Sequence, residues 1–180
     1  MAISIACFKA DITPEIDTTM GICGWIKSIE HPLFAKGVIL QDDRQIAVLC
    51  AFDYTGICGS SHLKIRRALA EATGTSAEFV NVHSVHQHTA PTIDEDVQKF
   101  VASNPELPVN TDLAYWQKVI DRVAEAARRA RTRMQPVTHV GIGWSVAREI
   151  ASQRRWLLAD GTPTTRWSCC NDWLMTLPEG

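Results

Sequence analysis

Two apolar runs separated by a short polar stretch constrain the fold more than any other feature of the sequence. Residues 37–40 and Ile46–Phe52 are rich in β-branched and other apolar side chains, whereas residues 41–44 are polar. This pattern is typical of a β-hairpin, because the strands need apolar side chains to pack and the reversal between them is solvated. Since the second run contains no polar side chain, we expect that strand to be buried on both faces.

A helix and a further strand are predicted after the hairpin. Ser60 or Ser61 can cap the helix, and Gly74 is placed to stop it. Residues 79–85 are then rich in β-branched residues and predict a strand.

Two later segments complete the predicted architecture. An apolar stripe with helical spacing predicts a second helix over residues 113–133, with a cluster of arginines at its end. Residues 140–146 alternate apolar with small side chains, which predicts another strand. The order hairpin, helix, strand, helix, strand indicates an α/β fold with a mixed sheet and flanking helices.

The composition limits the classes of partner. The chain has 180 residues, enough for one sizeable core, so we expect residues 1–180 to form a single domain. Eighteen basic and 20 acidic side chains give a net charge of −2, which does not favour nucleic acid as a partner. The N-terminus lacks the basic start and apolar core of a secretory signal, and no apolar run approaches the roughly 18 residues of a membrane span. We therefore expect a cytoplasmic protein without a transmembrane segment.

Three of the six histidines lie between residues 83 and 88, at the end of the predicted strand. In an extended chain, residues two apart point the same way, with their backbones about 6 to 7 Å apart. His86 and His88 can therefore converge on one centre, while His83 points to the opposite face. Imidazole is a common zinc ligand, but a catalytic zinc usually has three protein ligands, so at least one must come from elsewhere.

Other interpretations of these residues remain open. The His-x-His pair can instead be two polar side chains at a strand end. Asp53 follows a buried strand and can either orient a histidine or cap a turn. The acidic run at residues 94–96 is expected to be a solvated loop rather than a source of metal ligands. No Gly-x-Ser-x-Gly elbow is present, so metal-assisted hydrolysis is favoured over covalent catalysis.

Five ordered motifs resemble the N-terminal catalytic domain of the neutral/alkaline (non-lysosomal) ceramidases. Residues 8–14 (Phe-Lys-Ala-Asp-Ile-Thr-Pro) resemble the opening of that family, and Gly24-Trp25 its Gly-Tyr loop. Residues 31–36 (His-Pro-Leu-Phe-Ala-Lys) resemble its Asp-Pro-Leu-Tyr-Ala-Lys segment. Residues 86–91 (His-Gln-His-Thr-Ala-Pro) resemble its His-Thr-His-Ser-Gly-Pro motif, and Gln153-Arg154 its Asn-Arg.

The resemblance implies a role for each matched residue. His86 would ligate Zn²⁺, and His88 would be catalytic, contacting the substrate amide or the attacking water. Arg154, also catalytic, would hold the amide or its oxyanion, and Gly24 would bind substrate at the opening of the site. The implied reaction is hydrolysis of a linear amide C–N bond, as in ceramide, by a water whose pKa zinc lowers to about 7.

The resemblance also implies that residues 1–180 are the N-terminal portion of a larger catalytic domain, incomplete at its C-terminus. In that family the remaining zinc ligands, a histidine, a glutamate and a tyrosine, come from later segments. Two alternatives follow: a truncated remnant without catalysis, or a metal hydrolase acting on another small amide or ester. If part of the domain is missing, self-association through the surface left uncovered is expected.

Overall fold

The computed structural model describes residues 2–21, 24–148 and 155–165. The chain divides into two compact units, Met1–His139 and Val140–Gly180. The first unit contains the main sheet and all three described α-helices, and the second contains a small two-stranded sheet. Three of the four predicted site residues, Gly24, His86 and His88, belong to the first unit.

The first unit is built on a five-stranded mixed sheet, which confirms the predicted α/β fold. Its strands are β1 (Ser4–Asp11), β2 (Phe34–Gln41), β3 (Ile46–Phe52), β5 (Val80–Ser84) and the short β7 (Gln135–Pro136), in the order β5-β3-β2-β1-β7. The predicted hairpin is β2 and β3, which pair antiparallel from Ala35 opposite Phe52 to Gln41 opposite Ile46. Strand β1 pairs antiparallel with β2 along its whole length.

Strands β3 and β5 are parallel, and their carboxyl ends meet at one edge of the sheet. Helix α1 (Gly59–Thr73) connects them, as a parallel pair requires a crossover. Two short parallel strands, β4 (Gly56–Ile57) and β6 (Thr92–Ile93), extend the pairing just past this edge. The segment between β5 and β6 therefore leaves the five-stranded sheet and ends in this two-stranded sheet, and it carries the His-x-His pair.

Helices α1 and α3 (Leu113–Arg131) pack against each other and against one face of the sheet. Both were predicted, and Gly74 ends α1 in the left-handed conformation. The predicted serine cap is wrong, because Cys58 occupies the cap position and makes no side-chain cap hydrogen bond. The core between sheet and helices contains Trp116, Phe52, Ile39, Ile65, Leu69 and Val119, all fully buried.

Burial of β3 on both faces was predicted, and that prediction is wrong. Val48, Cys50 and Phe52 are buried beneath the helices, but Leu49 is 49% exposed. Leu49 lies opposite Val38, which lies opposite Cys7, so these residues share the second face of the sheet. No described element of the unit Met1–His139 covers this face. We call it the outer face; its apolar side chains are Ile5, Cys7, Val38, Leu40 and Leu49, and it also carries Lys9 and Lys36, which lie opposite each other.

The strand predicted over residues 140–146 is also absent. The structure describes this segment without regular secondary structure, and Val140, Ile142 and Trp144 are 80%, 97% and 92% exposed. Alternation alone cannot make a strand, because each strand needs a neighbour to accept its hydrogen bonds. The second unit instead pairs β8 (Arg155–Leu157) with β9 (Pro163–Thr165).

Among the described residues, no helix is long and apolar enough to cross a membrane.

Candidate active site

Residues 85–91 form a loop at the carboxyl ends of β3 and β5, which we call the histidine loop. Backbone hydrogen bonds tie both ends of it to the chain that follows β3. Val85 N–H donates to the Phe52 carbonyl at 3.0 Å, and Thr55 N–H donates to the Pro91 carbonyl at 3.0 Å. The carboxyl edge of parallel strands is where α/β sheets most often place their ligands.

His86 has a strained backbone and a fixed ring. Its φ of 63° lies in the left-handed region, which is unfavourable for any residue with a Cβ. Its N–H donates to the Tyr54 carbonyl at 3.0 Å, and its Nδ1 lies 2.7 Å from the Thr55 carbonyl oxygen. Because a carbonyl oxygen can only accept, Nδ1 carries a proton, and the neutral ring presents its lone pair at Nε2. This is the tautomer of a histidine that ligates a metal through Nε2.

The ring of His88 lies beside that of His86. The two centroids are 5.1 Å apart with the rings edge to face, and both residues are exposed. The convergence predicted for an extended strand therefore occurs in a loop, since β5 ends at Ser84. His83 remains in β5 with its side chain exposed.

Two residues that the sequence did not single out hold the histidine loop. Gln87 folds inward, its Nε2 donating to the Asp53 carbonyl at 3.1 Å and its Oε1 accepting from the Thr89 N–H at 3.0 Å. Thr55 is 6% exposed and contacts the loop through its amide, carbonyl and hydroxyl groups. Their supporting role could not be recognised from the sequence, because most of these bonds are made to backbone carbonyls.

Asp53 caps the sheet and makes no hydrogen bond to a histidine of the described chain. Its Oδ2 accepts from the Phe34 N–H at 2.9 Å and lies 3.7 Å from the Lys36 ammonium group. Of the two alternatives for this carboxylate, the structure therefore supports the turn-capping role. The acidic run at residues 94–96 was predicted to be a solvated loop, but it forms the N-terminus of helix α2 (Glu95–Val101). Asp94 is the N-cap of this helix.

The histidine loop lines two cavities. The larger has a volume of about 530 Å³, and Gln87 and Thr89 contribute to its wall. Apolar side chains supply part of its lining, from Pro14, Met20, Ile26, Ile29, Leu33, Ala90 and Pro91, and the charged or polar side chains of Lys27, Glu30, His31 and Asp53 also line it. The smaller cavity, of about 420 Å³, is lined by His86 together with Ser84 and Thr92, whose hydroxyl oxygens are buried without a hydrogen-bond partner in the described chain.

The other predicted site residues lie apart from this centre or outside the described chain. Gly24 has a φ of 83° with open space around its Cβ position, so the turn rather than close packing requires glycine there. It lies between Met20 and Ile26, which both line the larger cavity. Arg154 lies outside the described residues.

The donor set fits one zinc ligand well and does not complete a site. His86 offers Nε2 in the correct tautomer, and His88 is next to it. The described residues contain no group of three or more His, Cys, Asp or Glu side chains that could hold a metal ion. A catalytic zinc with its usual three protein ligands would therefore need ligands from outside these residues.

The chain is therefore an α/β protein whose mixed sheet has helices on one face and a His-x-His loop beyond its parallel strands.

No profile of a protein family and no curated protein sequence matches the chain significantly. Solved structures do match. Neutral ceramidase from Pseudomonas aeruginosa superposes with a TM-score of 0.59 at 21% identity, covering 76% of this chain. A ceramidase complexed with C2 superposes with a TM-score of 0.57, also at 21% identity and 76% coverage.

The match confirms the predicted resemblance to neutral ceramidase at the level of the fold. This chain spans 22% of the length of each of the two ceramidase chains. At that identity the likeness concerns the arrangement of strands and helices. The chemistry must be argued from the residues themselves.

Proposed function

We propose that the chain contributes to a zinc-dependent hydrolase that cleaves linear amide C–N bonds. The proposal rests on one observation above all: His86 holds its Nδ1 proton against the Thr55 carbonyl and so presents Nε2 for a metal. The similarity of fold to neutral ceramidase supports the same reaction class.

His86 supplies one zinc ligand in this proposal, and the remaining protein ligands lie outside the described residues. When bound, zinc polarises the substrate carbonyl and makes water a nucleophile near neutral pH. His88 is next to His86 and can hydrogen-bond the substrate amide or exchange a proton with the attacking water or leaving amine. Arg154 is proposed to stabilise the negative charge that develops on the carbonyl oxygen, as a guanidinium can.

The two cavities suggest how an amide would be bound. The smaller cavity is lined by His86 and by two hydroxyls without partners in the described chain, which suits a polar reacting group. The larger cavity combines apolar surface with charged side chains, among them Lys27, Glu30 and Asp53, which suits a molecule that joins a hydrocarbon chain to polar groups, so a lipid amide is the proposed substrate. Gly24, between two residues that line this cavity, is proposed to form its opening.

Zinc binding and amide cleavage test the proposal together. The protein, with zinc added and with zinc removed by chelation, is incubated with an N-acyl amide of long chain, and the released fatty acid is measured. Equilibrium dialysis gives the zinc affinity of the same samples. We expect His86→Ala to lose zinc binding by at least about tenfold, and His83→Ala, a histidine outside the loop, to keep it.

Each outcome bears on a different part of the proposal. Zinc binding that depends on His86 without amide cleavage would support the metal site and favour another amide or ester as substrate. Zinc binding that is the same in His86→Ala and in the wild type would contradict the assignment of the ligand. If neither the wild type nor any variant binds zinc, the alternative of a truncated remnant without catalysis is favoured.

A further inference from the structure

Thr55 makes four hydrogen bonds to the histidine loop through three different groups. Its N–H donates to the Pro91 carbonyl at 3.0 Å, and its carbonyl accepts from His86 Nδ1 at 2.7 Å. Its hydroxyl lies 2.7 Å from the Gln87 carbonyl oxygen and 2.8 Å from the Ala90 carbonyl oxygen. A single buried residue therefore holds the loop at its start, its middle and its end.

The Thr55 hydroxyl is the side-chain part of this arrangement. It has one proton and shares it between the two carbonyls, neither of which accepts any other hydrogen bond in the described chain. Thr55 is 6% exposed, so water cannot easily replace the hydroxyl. Removal of the hydroxyl without a change in shape would leave two carbonyl groups unpaired, which is unfavourable for a buried polar group.

The loop needs such support because its conformation is strained. His86 has a left-handed backbone, which is unfavourable for a residue with a Cβ and persists only when its surroundings enforce it. The carbonyls held by the Thr55 hydroxyl belong to Gln87, directly after His86, and to Ala90. If they are released, the strain at His86 can relax, and its ring can rotate away from the Thr55 carbonyl.

We propose that Thr55 is a positioning residue of the metal site: its hydroxyl holds the loop so that its own carbonyl fixes the His86 ring with Nε2 free. The inference deepens the proposed function and rests on it for the metal. The fixed ring itself is a property of the unliganded chain, so it can be measured without zinc.

The test compares Thr55→Val with Thr55→Ser. Valine keeps the shape of threonine and removes the hydroxyl, whereas serine keeps the hydroxyl and removes the methyl group. The His86 ring nitrogens are observed by ¹⁵N NMR without zinc, well above the ordinary histidine pKa of about 6.5. We expect one tautomer with a protonated Nδ1 in the wild type and in Thr55→Ser, and a mixture of tautomers in Thr55→Val. Zinc affinity should fall about 10- to 100-fold in Thr55→Val and stay within a few-fold in Thr55→Ser.

The two readouts separate failure of the inference from failure of the proposed function. A folded Thr55→Val with the ring shifts of the wild type would overturn the inference, even if its unfolding free energy fell. A mixture of tautomers in Thr55→Val, in a protein whose wild type does not bind zinc, would leave the inference standing and contradict the metal site. If Thr55→Val does not fold, Thr55→Ala, which also removes the hydroxyl, replaces it, and the same shifts decide.

Discussion

His86 combines a strained backbone with the ring that we assign to the metal. Its φ of 63° is one that glycine adopts freely and that alanine adopts only at a cost of roughly 1–2 kcal/mol. We therefore expect His86→Gly to have an unfolding free energy about 1 kcal/mol higher than that of His86→Ala, as measured by urea denaturation. At an ordinary position glycine is the less stable of the two, by about 0.5–1 kcal/mol.

His88 provides the matched control for this prediction. It lies two residues further along the same loop, and its φ is not positive. His88→Gly should therefore be less stable than His88→Ala. If His86→Gly and His86→Ala rank in the same order as the His88 pair, the left-handed conformation of His86 in solution is contradicted.

At the scale of residues, the sequence predicted that His86 and His88 converge, but not the residues that hold their loop. His86 and His88 were identifiable because two imidazoles at such spacing are a known chemical pattern. Thr55 and Gln87 were missed, because their hydrogen bonds run mainly to backbone carbonyls, which every residue has. The left-handed conformation of His86 was missed for a related reason: tertiary hydrogen bonds enforce it against local preference.

Among the elements, the pairing of β1 with β2 depends on one glycine. Phe8 lies opposite Gly37, and a Cβ added to Gly37 would overlap the Phe8 ring carbon Cζ. Phe8 is buried and cannot move without disturbing the core. We expect Gly37→Ala to lower the unfolding free energy by about 1–3 kcal/mol, as overpacking usually does.

Gly56 in β4 provides the control for the glycine prediction. Its nearest neighbour for an added Cβ is Thr92 Cγ2 at 3.6 Å, an ordinary contact, and its φ is not positive. Gly56→Ala should therefore change the urea midpoint only slightly. Equal destabilisation by the two substitutions would contradict the assigned close contact between Phe8 and Gly37.

How well an element was predicted depended on how much of its pattern is local. Helix α3 was predicted because its apolar stripe alone specifies a buried face. Helix α2 was missed, because its start is an acidic run that is equally typical of a solvated loop, although Asp94 is a good cap. The strand over residues 140–146 was wrong, because alternation predicts a strand only where a neighbouring strand is available.

For the whole molecule, buried ionisable groups predict a loss of stability in alkali. Burial raises the pKa of the Cys50 thiol to about 12 and raises the pKa of Tyr54 and of Tyr115. The two phenols hydrogen-bond each other and the Ile12 carbonyl. Because these groups release protons more readily when unfolded, their contribution to stability is complete well below about pH 8.5 and falls progressively as the pH rises from there through the folded-state pKa of Cys50 at about 12.

Urea denaturation from pH 7 to pH 11 tests this dependence. The unfolding free energy should decline above about pH 9, and the decline should be shallower in Tyr115→Phe, which removes one of the three groups. The absolute stability of Tyr115→Phe will be lower because it loses hydrogen bonds, so the slopes are compared. A stability that is constant up to pH 11 would contradict the burial of these groups.

The uncovered outer face leads us to propose self-association of this chain. The face combines Ile5, Cys7, Val38, Leu40 and Leu49, and apolar patches of this kind favour association. We expect sedimentation to show a concentration-dependent dimer that Leu49→Lys weakens roughly tenfold or more. Leu63→Lys is the control, because Leu63 is similarly exposed, at 45%, but lies on α1. A monodisperse monomer at all concentrations would contradict the proposal.

The central claim is that His86 binds zinc through Nε2, and anomalous diffraction at the zinc absorption edge tests it most directly. Crystals of the protein grown with zinc should show an anomalous peak about 2.0–2.1 Å from His86 Nε2. Nδ1 should remain on the Thr55 carbonyl. A peak on His86 Nδ1, or zinc bound at other histidines with none at His86, would contradict the account.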